Sequence, residues 1–111
     1  MVTWMMDWRE VEDTIERIAA ESAEPFAPKT VGNAEQLVSI CRGRTPLPDE
    51  VCKGYWSTFC FSWPGFEIEV CEDRLEVYHF HSDGTFSVWY EELRADWAYS
   101  SKFLAELPNM P

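Results

Sequence analysis

The chain has 111 residues, about three quarters of the roughly 150 that one domain takes, so a single folded unit is expected and two independent ones are excluded. Apolar residues make up 46% of it, among them 6 Trp, 4 Tyr and 7 Phe, enough for a core and too many for an intrinsically disordered chain. Nine Lys and Arg against 20 Asp and Glu give a formal net charge of −11, which repels phosphate backbones and anionic lipid alike and disfavours direct nucleic-acid or membrane-surface binding.

No apolar run approaches the roughly 18 residues of a bilayer span, and Met1 to Glu10 carries acid where a signal peptide needs a basic flank, so a cytoplasmic protein is expected. The cysteines are Cys41, Cys52, Cys60 and Cys71, which in a secreted chain would allow two bridges in three pairings. Their spacings contain no C-x-x-C, so neither a thioredoxin-type pair nor a zinc ribbon is encoded, and reduced, partly buried thiols are the reading.

In chain order, Trp4, Trp8, Val11, Ile15 and Ile18 recur at gaps of four and three, one stripe on an α-helix. Asp7, Glu10, Asp13, Glu16 and, further on, Glu21 make its other faces an acidic, solvated surface. From Pro25 to Gly32 the pattern breaks into a linker within the domain, Pro25 and Pro28 opposing helix in the residues before them. Asn33 with Gln36 three residues on resembles a capping box and opens a short helix through Leu37, Val38 and Ile40 to about Arg42. Gly43, Pro46 and Pro48 stop it, and the stretch to Gly54 reads as loop, with room for one helical turn from Pro48.

Tyr55–Trp63, Phe66–Cys71, Arg74–His81 and Thr85–Glu91 are aromatic and β-branched, alternate in character, and are separated by Pro64-Gly65, Glu72-Asp73 and Asp83-Gly84. They predict a four-stranded antiparallel meander. Leu93, Trp97, Phe103, Leu104 and Leu107 predict a C-terminal helix from about Glu92 to Leu107, ended by Pro108. The expected fold is therefore one α+β domain over residues 1–111, with N-terminal and C-terminal helices packed on the meander.

Two-residue loops set the register, and with it the faces. Phe59, Phe61, Trp63, Phe66, Ile68, Val70, Leu75 and Val77 fall on one apolar face, joined by His79, His81, Phe86, Val88 and Tyr90, for the helices to cover. The opposite face carries Thr58, Cys60, Ser62, Glu67, Glu69, Cys71, Glu76, Tyr78, Phe80, Ser87, Trp89 and Glu91. In this register Glu69 lies opposite Glu76 and Glu76 opposite Glu91, like-charge pairs that cost a few tenths to about 1 kcal/mol each. A cationic partner would relieve that repulsion, and Tyr78, Phe80 and Trp89 offer flat area for stacking and cation–π contact. The candidate partner-binding residues are thus Glu67, Glu69, Glu76, Tyr78, Phe80, Trp89 and Glu91, against the plainer reading that the last helix or a second copy covers this face.

His79-x-His81 puts two imidazoles on the same strand face, a spacing some metal sites use, with Asp83 just beyond. A packed or partly exposed histidine pair is the plainer reading, and Cys71 sits on the opposite face, away from any Cys-His arrangement. No P-loop and no G-x-G-x-x-G occurs. No catalytic residue, metal or cofactor is expected.

Phe26 to Cys41 as a helix, Pro46-Leu47-Pro48, Gly54 through Trp63 as a strand ending in Trp, and the acidic strands Glu67 to Glu76 together resemble a broad set of small, uncharacterised bacterial proteins. That likeness spans about half the chain and implies an α+β fold without an activity. In composition the chain also resembles the small acidic inhibitors that phages carry against CRISPR or restriction systems. The expected function is a non-enzymatic inhibitor, monomer or homodimer, that docks on a basic, nucleic-acid-binding partner protein. An immunity protein or antitoxin against a basic nuclease toxin has the same physics. The expectation from another class is a metal- or thiol-dependent enzyme using His79 and His81.

Overall fold

Asp7 opens the first helix: its carboxylate accepts from the Glu10 amide at 2.8 Å, so α1 runs Trp8–Glu21. In the computed structural model, which describes residues 7–96 and 98–109, the described part of the expected stripe is Trp8, Val11, Ile15 and Ile18. Trp4 lies outside the described residues. Val11 and Ile15 are buried, and Trp8 and Ile18 pack against them from the rim.

The second helix, α2, spans Pro28–Cys41 and starts five residues before the expected cap. Pro28 does not end a linker here. It begins the helix, where a missing N–H costs nothing and a fixed φ is already suitable. Asn33 is consequently an interior helical residue, 1% exposed, whose side-chain amide donates to the Cys71 and Glu72 carbonyls at 2.9 Å each. It ties α2 to a hairpin turn of the sheet.

Five strands follow: β1 Glu50–Lys53, β2 Phe59–Trp63, β3 Phe66–Val70, β4 Arg74–Phe80 and β5 Phe86–Glu92. They form one antiparallel meander in chain order. The architecture is α+β, with one strand more than expected. β1 stands where a loop was read, held to β2 by the Cys52↔Cys60 and Val51↔Phe61 pairs. Two of the three expected hairpins turn as read. Trp63 faces Phe66 across Pro64-Gly65, where Gly65 takes φ +72°, and the Cys71 amide donates to the Arg74 carbonyl at 2.9 Å across Glu72-Asp73.

The third hairpin differs. The His81 amide donates to the Thr85 carbonyl at 2.8 Å and the Gly84 amide to the His81 carbonyl at 3.1 Å, so the loop is Ser82-Asp83-Gly84, with Gly84 at φ +88°. A tight turn followed by one left-handed residue is the usual three-residue hairpin. Asp83 secures it by accepting from the Thr85 amide at 2.9 Å and the Thr85 hydroxyl at 2.6 Å. One extra loop residue shifts β5 by one step, and every side chain on it changes face.

The last helix, α3, is Ser101–Glu106, with Ser100 Oγ accepting from the Phe103 amide at 3.1 Å. Residues 93–96 and 98–100 are not helical, and Trp97 lies outside the described residues. The core is a single layer between the helices and one sheet face: Val51, Phe59, Phe61, Trp63, Phe66, Ile68, Val70, Leu75 and Val77 pack against Val11, Ile15, Ala34, Leu37, Val38, Cys41, Phe103 and Leu107. No helix among the described residues is long and apolar enough to cross a membrane.

Two stability predictions follow from this geometry. Asn33→Ala leaves two carbonyls without their donor and lowers the urea-unfolding free energy by about 2 kcal/mol. Gly84→Ala meets no steric obstacle, since nothing lies within 4 Å of the added carbon, yet loses about 1 kcal/mol to backbone strain alone.

Candidate functional site: the outer face of the sheet

Pairing defines the face that no helix among the described residues covers. It carries Glu50 and Cys52 on β1, Cys60 and Ser62 on β2, Glu67 and Glu69 on β3, Arg74, Glu76, Tyr78 and Phe80 on β4, and Phe86, Val88, Tyr90 and Glu92 on β5. Five carboxylates share it with one guanidinium. All of these residues are half-buried or exposed, and the largest apolar ones stand well out of the surface: Phe80 48%, Phe86 57%, Val88 42% and Tyr90 60% exposed.

Five of the seven expected site residues are brought together here: Glu67, Glu69, Glu76, Tyr78 and Phe80. Glu69 lies opposite Glu76, as the two-residue turn at Glu72-Asp73 requires. The carboxylates are not left to repel one another unaided. Glu67 accepts from Ser62 Oγ at 3.0 Å and Glu69 from Thr58 Oγ1 at 2.6 Å. Glu76 accepts from Arg74 Nε at 3.1 Å and Nη2 at 2.7 Å through one oxygen, and from the Tyr78 hydroxyl at 2.9 Å through the other. Burial pushes the Tyr78 hydroxyl up in pKa, and its bond to Glu76 and that residue's charge push it further. Gly54 packs against the Thr58–Glu69 pair so closely that a Cβ there would overlap Thr58 Oγ1 and crowd Glu69 Oε2; a glycine marks such close approaches.

Trp89 and Glu91 are not part of this face. The shifted register sets Trp89 opposite Val77 and Glu91 opposite Leu75, on the helix side. Trp89 packs edge-on against Phe103 with centroids 6.4 Å apart, lies beneath Lys102 Nζ at 4.4 Å, and donates from Nε1 to Glu106 at 2.7 Å. Glu91, 6% exposed, accepts from the Ser100 amide and hydroxyl at 2.6 Å each, fastening the start of α3 to the sheet. The expected Glu76–Glu91 repulsion does not exist, because Glu76 faces Tyr90.

Phe86, Val88 and Tyr90 take the vacated positions. Tyr78, Phe80 and Phe86 form an aromatic corner, with centroids 6.4 Å apart for Tyr78–Phe80, 6.5 Å for Tyr78–Phe86 and 5.9 Å for Phe80–Phe86. Arg74 stacks over Tyr90 at 5.2 Å. The signal that would have found these residues was Ser82 ahead of Asp83-Gly84, since the same Gly suits a three-residue loop as well as a two-residue one.

His79 and His81 stack with centroids 5.4 Å apart at the open end of the other face, both exposed, with Phe66 edge-on to His79 at 5.8 Å. No group of three His, Cys, Asp or Glu side chains among the described residues is placed to hold a metal ion. All four cysteines are free thiols. A hollow of about 270 Å³ lies beside Glu91, Arg94 and Tyr99 and meets the acidic face at Glu92, and one of about 210 Å³ lies between α1 and α2. Comparison with known protein families, curated proteins and solved structures returned no match.

The thiols give the molecule a pH dependence. Burial raises Cys41 from an ordinary 9.0 to about 12. Burial and then the charges of Glu76 and Glu69 raise Cys71 to about 12. Cys52 and Cys60 are pushed up by burial first and by neighbouring glutamates second. In the unfolded chain these groups ionise near 9.0 while in the folded one they keep their protons, so this contribution to stability is whole below pH 9 and is lost as pH climbs toward 12. Under reducing conditions the thermal midpoint falls as pH rises from 9 toward about 11, and falls less in a Cys60→Ser/Cys71→Ser double variant, as followed by circular dichroism.

Proposed function

We propose that this protein acts by binding rather than by catalysis, laying the outer face of its sheet on a basic surface of a partner protein that otherwise holds nucleic acid. The reading is carried by one observation: Glu67, Glu69 and Glu76 share an uncovered sheet face with Tyr78, Phe80, Phe86 and Tyr90. Carboxylates in that number steer a cationic partner and raise its association rate by about 10- to 1,000-fold at low salt. Exposed rings supply the contact area, and Arg side chains of a partner stack on them as Arg74 already stacks on Tyr90. The acids are also held in place by Ser62, Thr58, Arg74 and Tyr78, so little side-chain freedom is lost on docking.

Occupation of a nucleic-acid groove inhibits its owner. An inhibitor of the anti-CRISPR or anti-restriction kind works this way, as does an immunity protein bound to a basic nuclease toxin, and both fit a chain of net charge −11.

The test uses the immobilised full chain against a native-host lysate, with duplex DNA as competitor. Wild type retains a protein that DNA displaces and that salt weakens steeply. The triple variant Glu67→Gln/Glu69→Gln/Glu76→Gln folds normally, since an amide oxygen still accepts from Ser62, Thr58 and Arg74 and the amide N–H at position 76 donates to the Tyr78 hydroxyl oxygen, and it retains about tenfold less with a flatter salt dependence. A control that removes the same charge from α1, Asp13→Asn/Glu16→Gln/Glu21→Gln, retains as wild type does. Equal retention by all three at every ionic strength would falsify the docking face.

A further inference from the structure

The two edges of the sheet are built differently. β1 has four residues, carries Glu50 and Lys53 at its ends and follows Pro48, all features that discourage pairing with another chain. β5 runs for seven residues in unbroken register and carries neither charge nor proline from Phe86 to Tyr90. The bonds from His81 N to Thr85 O and from Leu93 N to Asp73 O turn the odd-numbered positions of β5 toward β4. The N–H and C=O groups of Phe86, Val88 and Tyr90 therefore point away from the sheet, and no backbone hydrogen bond among the described residues reaches them. Their side chains are exposed as well. Long, flat, apolar edges of this kind are templates for strand addition.

We infer that β5 is the interface for a second copy of this chain, the two strands pairing antiparallel across a two-fold axis near the middle of Phe86–Tyr90 to make one continuous sheet. Charge selects both the occupant and the direction. The carboxylates of β5, Glu91 and Glu92, lie at one end. Antiparallel self-pairing carries the two copies' glutamates to opposite ends of the interface, whereas parallel pairing would set them side by side. Along the backbone edge of Phe86–Tyr90 a basic strand finds no counter-charge, while a second β5 finds the same uncharged row, and the rings stay on the face offered to a cationic partner. A two-fold axis normal to the sheet leaves both acidic faces on one side.

Sedimentation equilibrium of the full chain across the micromolar range tests this. The wild-type mass rises toward twice the 13.0 kDa of one chain. Val88→Lys puts two like charges near the axis and raises the dimer dissociation constant by at least about tenfold. Its urea-unfolding midpoint at low concentration stays that of wild type, because Val88 projects from the uncovered face. Hydrogen exchange locates the contact: the Phe86, Val88 and Tyr90 amides are protected in the wild-type dimer and exchange freely in Val88→Lys. A wild-type mass of 13.0 kDa throughout, a dimer in which those amides exchange freely, or an undiminished Val88→Lys dimer overturns the inference. The Glu67, Glu69 and Glu76 variant keeps β5 intact and dimerises as wild type does, so this outcome is read separately from that of the docking face.

Discussion

A left-handed backbone conformation at Gly84 governs what β5 offers. At φ +88° it lets the chain turn in three residues, with Asp83 gripping Thr85 by two hydrogen bonds. Because side chains alternate along a strand, that choice of loop sends Trp89 and Glu91 inward and Phe86, Val88 and Tyr90 outward. The inward pair then organises the C-terminal part of the fold: Glu91 seizes Ser100, which caps α3, and α3 roofs Trp89 with Phe103, Lys102 and Glu106. One permissive residue thus links the position of a helix to the chemistry of the opposite surface.

Much of the sheet was legible because turns and alternation agreed. Pro64-Gly65 and Glu72-Asp73 turn as read, which places Glu67, Glu69, Glu76, Tyr78 and Phe80 on one side without knowledge of any helix. The misreadings share a cause, which is that one short motif serves two geometries. Asp83-Gly84 fits loops of two or three residues. Asn33 has the amide of a helix cap but spends it across α2 on two carbonyls of a hairpin. Pro28 ends helices and also begins them. β1 was hidden for a different reason: only Val51 of its four residues is buried, too little periodicity for a strand, and its pairing with β2 arises from tertiary structure. The long C-terminal helix failed because Leu93, which fits its stripe, leaves β5 paired to Asp73 by a backbone bond.

The acidic face is less costly to fold than its composition implies. Arg74 is the only Lys or Arg between Tyr55 and Glu92, and it is spent on Glu76, with its flat side over Tyr90. Hydroxyls of Thr58 and Ser62 serve Glu69 and Glu67. The hydroxyl bonds orient Glu67 and Glu69 without neutralising them, so their negative field remains available to an incoming cation. The three half-buried thiols among them stay protonated first because burial disfavours a thiolate and second because a thiolate would add to that field.

Gly54 shows how narrowly the orientation is set. The smallest possible side chain there, a methyl group, would force apart Thr58 and Glu69. The formal charge of the molecule would be unchanged, yet one acid would lose its anchor and swing. Position 54 is therefore a place where geometry and charge can be uncoupled: an alanine would alter the shape of the electrostatic imprint while leaving its total untouched.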